Sequence, residues 1–138
     1  MSGNRRPVEV AIAVRRPVGE YLVLLRSPEK LGYWHLVSVG VEWGEEPAAA
    51  AARELLEETG YAGAIRPAGS VVDSAYSTRE RHTFVATGCR RIQEPSPQGG
   101  EFPEVVLLSL PEFREHLRGG RLTDVAGGYA GLDALSLL

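Results

Sequence analysis

Three glutamates, Glu54, Glu57 and Glu58, stand at i, i+3 and i+4 in the run Ala48 to Thr59. At about 100° per helical residue they project at roughly 0°, −60° and +40°, one narrow stripe. Ala48, Ala51, Ala52, Leu55, Leu56 and Thr59 take the arc from about +60° to +200°. The expectation is carboxylates on one face and core on the other. Such acids repel one another, and they lie toward the negative end of the helix dipole. A divalent cation or the guanidinium of Arg53 must compensate them. Hard carboxylate oxygens suit Mg²⁺ or Mn²⁺, whereas zinc would want a His and Cys cluster that the sequence does not offer. Glutamates on a helix are ordinarily solvated surface, so the neighbours decide the matter. Gly40-Val41-Glu42-Trp43-Gly44-Glu45 precedes the helix and adds two acids on a glycine-bearing loop, able to bring Glu45 and backbone carbonyls toward the first turns. His35, His82 and His116 have no metal-like spacing and read as structural or surface residues.

The elements around this stripe follow from local pattern. Val8 to Val14 and Tyr21 to Leu25 are β-branched and apolar, with Pro17 and Gly19 between them where a hairpin turn needs them. Ser27 to Gly32 is turn-like, Tyr33 to Val37 is a short apolar run, and Ser38 to Glu46 is Gly-punctuated and acidic, which predicts a loop. Pro47 suits a first helical position and Gly60 a left-handed stop, which bounds a helix over Ala48 to Thr59. Strands are predicted over Ala68 to Tyr76, Arg81 to Cys89 and Val105 to Leu108, with loops at Ser77 to Glu80 and Gln93 to Gly100. Ser109-Leu110-Pro111-Glu112 is a capping-box start for a helix through Leu117, stopped by Gly119-Gly120. In the tail, Leu132, Leu135 and Leu138 recur at helical spacing while Gly127, Gly128 and Gly131 weaken a helix. This order implies an α/β fold, a mixed sheet with helices on both faces.

Charge is distributed unevenly. Residues 42 to 58 hold six acids and one base, Arg53, for −5, which leaves +2 for the remainder of a chain whose net charge is −3. That remainder uses arginine for all but Lys30, so fixed guanidinium forks can meet phosphate oxygens. The acidic balance argues against a partner that is a nucleic acid polymer and leaves room for a small anionic ligand. A length of 138 residues suits a single domain over 1–138. Cys89 is the sole cysteine, which excludes an internal disulfide and makes a cytoplasmic, reducing setting the expectation. Met1 to Arg6 lead into no apolar stretch of spanning length, so neither secretion nor a membrane partner is expected.

Glu45, followed after seven residues by Arg53-Glu54-Leu55-Leu56-Glu57-Glu58-Thr59-Gly60-Tyr61, resembles the Nudix box, G-x5-E-x7-R-E-U-x-E-E-x-G-U with U a bulky apolar residue. The initial glycine departs: its place is Val39, and the usual Pro-Gly-Gly is Val37-Ser38-Val39. If that position needs a positive φ, a β-branched residue is strained there. The resemblance to the Nudix hydrolase family implies an α/β/α sandwich and Mg²⁺-dependent hydrolysis of a pyrophosphate bond in a nucleoside diphosphate linked to another moiety, with Mn²⁺ as a substitute. By that resemblance Glu57 and Glu58 are the principal metal ligands, and Glu54 is a further ligand or the general base. Arg53 orients the acids, Glu45 assists, and the carbonyl of Ser38 or Val39 is another candidate ligand. A further ligand from a loop outside the box falls on Glu101, with Glu104 as second choice. Arg26, Arg79 or Arg81 could contact phosphate, and Trp34 or Tyr76 could stack on a base. Trp34-His35-Leu36-Val37-Ser38 is similar to members acting on dihydroneopterin triphosphate, and Leu117 to Asp124 to members acting on ADP-ribose. A homodimer is one expectation the family allows. The rival readings are a weak or inactive Nudix-fold nucleotide-binding module, motivated by Val39, and a Ca²⁺-binding or merely acidic interaction helix.

Overall fold

The computed structural model describes residues 5–26, 33–72, 75–76, 79–97 and 103–138. In chain order the elements are β1 (Arg5–Arg15), β2 (Tyr21–Leu25), β3 (Trp34–His35), β4 (Val37–Glu42), α1 (Pro47–Thr59), β5 (Tyr61–Val72), β6 (Glu80–Arg91), β7 (Glu104–Leu108), α2 (Leu110–Arg118) and α3 (Val125–Ala134). The strands form one mixed sheet ordered β3-β2-β1-β6-β5, with β4 also on β1 and β7 also on β2. The β1–β6 pair is parallel and the other pairs are antiparallel. Strand β1 is buried on both faces, as its continuous apolar run requires. Val8, Val10, Ile12 and Val14 pack with Ala50, Ala51 and Leu55 of α1. On the opposite face, Ala11 and Ala13 lie under α3, beside a second core of Tyr21, Val23, Leu36, Phe113, Leu117 and Leu132. The expected α/β sandwich with helices on both faces is what the chain forms. Among the described residues no helix is long and apolar enough to cross a membrane.

Three local expectations are corrected. The stretch from Ser38 is not loop throughout: β4 runs to Glu42 and pairs Val37 with Ile12 and Val39 with Val10. Alternating valines at 37, 39 and 41 outweigh Gly40, which sits opposite Glu9. Strand β5 starts at Tyr61, directly after the Gly60 stop, rather than at Ala68, and it accommodates its glycines through register shifts at Ala62/Ala64 and Pro67/Gly69. The tail forms α3 because its glycines allow close approach: a Cβ on Gly131 would lie 2.4 Å from Ala13 Cβ.

Helix α1 is also rotated from its expected setting. Its buried residues are Ala50, Ala51, Leu55, Glu58 and Thr59, while Ala48 and Ala52 are exposed. The buried arc is therefore centred at about +50° from Glu54. Glu54 and Glu58 fall within it, and Glu57 stands at its rim.

Candidate functional site

The turn after β4 delivers the first acid. Glu45 N–H donates to the Glu42 carbonyl at 3.0 Å, and Glu42 N–H donates to Glu45 Oε1 at 3.3 Å. This fixes the Glu45 carboxylate over the first turns of α1. Arg53 grips it with two bonds, Nε to Oε2 at 2.8 Å and Nη2 to Oε1 at 3.1 Å. Its remaining nitrogen, Nη1, reaches Glu54 Oε2 at 3.3 Å and lies 3.6 Å from Glu57 Oε2. One guanidinium therefore gathers three of the acids. The hydrogen bond from Arg53 holds the Glu45 carboxyl below its ordinary value, and Glu45 in turn raises the pKa of Arg53.

Glu58 is anchored differently. It is 9% exposed, and its Oε1 accepts from Arg26 Nη2 at 3.0 Å. Arg26 Nε donates to His35 Nε2 at 2.9 Å, and His35 Nδ1 bonds the Leu36 carbonyl at 2.8 Å. Burial lowers the pKa of His35. Burial, then hydrogen bonding and charge from Glu58, pushes Glu54 up to about 7. Among the described residues no three His, Cys, Asp or Glu side chains converge closely enough to hold a metal ion. Arg53 pairs with Glu45, Glu54 and Glu57, and Arg26 pairs with Glu58. Glu57 Oε2 is nonetheless buried and accepts no hydrogen bond, an oxygen with capacity for a cation.

The other expected residues are dispersed. Trp34 points to the opposite layer, edge-on to the His116 ring at 4.9 Å, and its backbone bridges to Leu122. Tyr76 is exposed on the connection between β5 and β6. Arg79 and Arg81 pair with Glu9 at 2.7 and 2.8 Å, and Arg81 also pairs with Asp124 at 3.2 Å. Glu101 lies outside the described residues. Glu104 opens β7 opposite Leu25 and is exposed. Val39 is in extended strand, and Ser136 is the only non-glycine with positive φ among the described residues, so the strain anticipated at Val39 is absent. Arg26, one of the candidate phosphate contacts, pairs with Glu58. The part played by His35 was not foreseen, because it depends on the β2–β3 register that sets Leu24 opposite His35.

The family model described as NUDIX domain matches residues 5–124, and the chain belongs to this family. It is 41% identical over 76 residues to an ADP-sugar pyrophosphatase of Mus musculus, across 49% of this chain and 34% of that protein. It is 46% identical over 56 residues to an octanoyltransferase of Myxococcus xanthus, across 40% of this chain and 16% of that protein. The chain thus spans about a third or less of these curated relatives. Among solved structures, an ADP compounds hydrolase superposes with a TM-score of 0.75 at 16% identity, covering 95% of this chain and 75% of the other. A NUDIX hydrolase from Nitrosomonas europaea superposes with a TM-score of 0.71 at 20% identity, covering 98% and 90%.

Proposed function

We propose that this chain hydrolyses the pyrophosphate linkage of a nucleoside diphosphate joined to another group, with an ADP-linked sugar as the favoured substrate class. The observation that carries this reading is the Arg53 fork, which collects Glu45, Glu54 and Glu57 on the family's motif. The names of two similar proteins, ADP-sugar pyrophosphatase and ADP compounds hydrolase, favour the ADP group. The donor set fits Mg²⁺ or Mn²⁺: all hard oxygens, one of them, Glu57 Oε2, buried without a hydrogen bond. Glu57 and Glu58 would hold the cation, with Glu54 as a further ligand or as the base. When bound, it supplies charge neutralisation at the phosphate oxygens and a more acidic water. Arg53 keeps the acids from dispersing, and Glu45 locks Arg53.

The test is turnover on a panel of ADP-ribose, ADP-glucose, nucleoside triphosphates and dinucleoside polyphosphates with Mg²⁺. ADP-ribose should yield AMP and ribose 5-phosphate, and Glu57→Gln should lower the rate by about 100-fold. Nucleotide-induced thermal stabilisation without turnover on any of these compounds would refute the reading in favour of a binding module.

A further inference from the structure

The guanidinium that holds Glu58 is itself held. Arg26 N–H donates to the Tyr33 carbonyl at 3.0 Å, which places its side chain beside His35 across the β2–β3 pair. Its Nη2 reaches Glu58 while its Nε donates to His35 Nε2. A carbonyl only accepts, so the contact with Leu36 places the ring proton on Nδ1 and leaves Nε2 with a lone pair for Arg26. The ring is 6% exposed, so neighbouring atoms hold its plane. Two points of attachment, Nε on the ring and Nη2 on the carboxylate, fix the plane of a long side chain that one contact would leave free to rotate.

We propose that His35 is a positioning residue whose neutral ring orients Arg26, and that Arg26 thereby aims the Glu58 carboxylate for the divalent cation. The proposal rests on the reading of Glu58 as a cation ligand given above. Arg53 stands on the same helix as Glu54 and Glu57 and is held by Glu45. Arg26 comes from the end of β2, so its aim at α1 depends on what fixes it locally. Glu58 thus meets Arg26 through Oε1 and stands within hydrogen-bonding reach of Glu54 on the same helix. A ring that merely filled space would be replaceable by any side chain of similar volume; a positioning ring requires the acceptor.

The experiment is the Mn²⁺ dissociation constant, measured by titration calorimetry on the wild-type chain, His35→Leu, His35→Gln, Arg26→Lys and the His35→Leu/Arg26→Lys pair. His35→Leu should weaken binding about tenfold. His35→Gln, whose amide oxygen substitutes for the unprotonated Nε2, should recover most of that loss. Arg26→Lys keeps the charge but cannot bridge both partners, so it should match His35→Leu, and the double variant should lose nothing more. Unchanged affinity in His35→Leu, or His35→Gln as weak as His35→Leu, overturns the proposal. Should His35→Leu fail to fold, unchanged affinity in Arg26→Lys overturns it equally. A wild-type chain that binds Mn²⁺ yet hydrolyses nothing refutes the proposed function alone, and the variant affinities still decide the role of His35. A wild-type chain without Mn²⁺ affinity refutes both.

Discussion

Gly60 closes the carboxylate helix, and replacing it by alanine separates two costs that the structure places at one residue. Its φ is +79°, and its N–H caps the Leu56 carbonyl at 2.8 Å. Its own carbonyl accepts from Ile92 and Gln93, at 2.8 and 3.3 Å. A Cβ here would lie 2.1 Å from the Gln93 carbonyl oxygen and 3.1 Å from its carbon. The left-handed backbone costs an alanine about 1–2 kcal/mol. Displacing a backbone carbonyl in a packed loop adds about 1–3 kcal/mol, so Gly60→Ala should cost about 2–5 kcal/mol. Gly44 is the internal control: its φ is +84°, but nothing lies within 4 Å of its Cβ position, so Gly44→Ala should cost only about 1–2 kcal/mol. Urea unfolding of both variants at neutral pH measures the difference. Equal losses would show that the Gln93 carbonyl does not constrain the end of α1.

Other outcomes follow from the same geometry. Gly131→Ala adds about 1 kcal/mol of helix propensity, yet its Cβ meets Ala13 Cβ at 2.4 Å. The overpacking costs about 1–3 kcal/mol, so the net loss should be about 0–2 kcal/mol after the propensity gain, with partial rescue by Ala13→Gly in a double-mutant cycle; net stabilisation by the single change refutes the contact. Burial raises the Asp124 carboxyl from 3.8 against the pull of Arg81, so the folded state binds this proton more tightly than the unfolded chain. That contribution is fully present below the unfolded value and is lost as pH rises through the folded one. The stability of the wild-type chain relative to Asp124→Asn should accordingly fall as pH climbs above 3.8; a constant or widening advantage in urea melts contradicts this. Arg53→Lys keeps the charge and loses the fork on Glu45, so kcat on ADP-ribose should drop about 10- to 100-fold, and undiminished turnover refutes the role of the fork.

Where a signal was local, the sequence carried the element. Pro47 and Gly60 bound α1, and the box at Ser109 forms with both of its bonds, Ser109 N–H to Glu112 Oε1 at 2.8 Å and Glu112 N–H to Ser109 Oγ at 3.3 Å. Within its own segment a glycine weakens a helix or strand, yet several here serve the surface of another element. In β5, Gly63 makes room for Cys89 Sγ, which would lie 2.6 Å from a Cβ. In α3, Gly128 makes room for Leu117 and Gly131 for Ala13. These uses concern another element's surface, and no window on one segment contains them.

The acid stripe shows the same boundary at the site. Spacing identified the carboxylates and their guanidinium, since Arg53, Glu54, Glu57 and Glu58 share one helix. Helical spacing alone sets Ala48, Ala51 and Ala52 on the core face and the acids on the other. The sheet decides the face instead, and Ala48 and Ala52 face solvent while Glu58 faces inward. A buried carboxylate is tolerable only when paired and hydrogen-bonded, and the pairing arrives from β2 through Arg26, itself fixed by a ring on β3. Removing Arg26 outright would leave Glu58 as an uncompensated charge, whereas removing the His35 acceptor leaves the charge balanced and only the aim lost. Stability and cation affinity should therefore separate at His35 and move together at Arg26, the distinction that decides whether this chain of contacts serves the fold or the site.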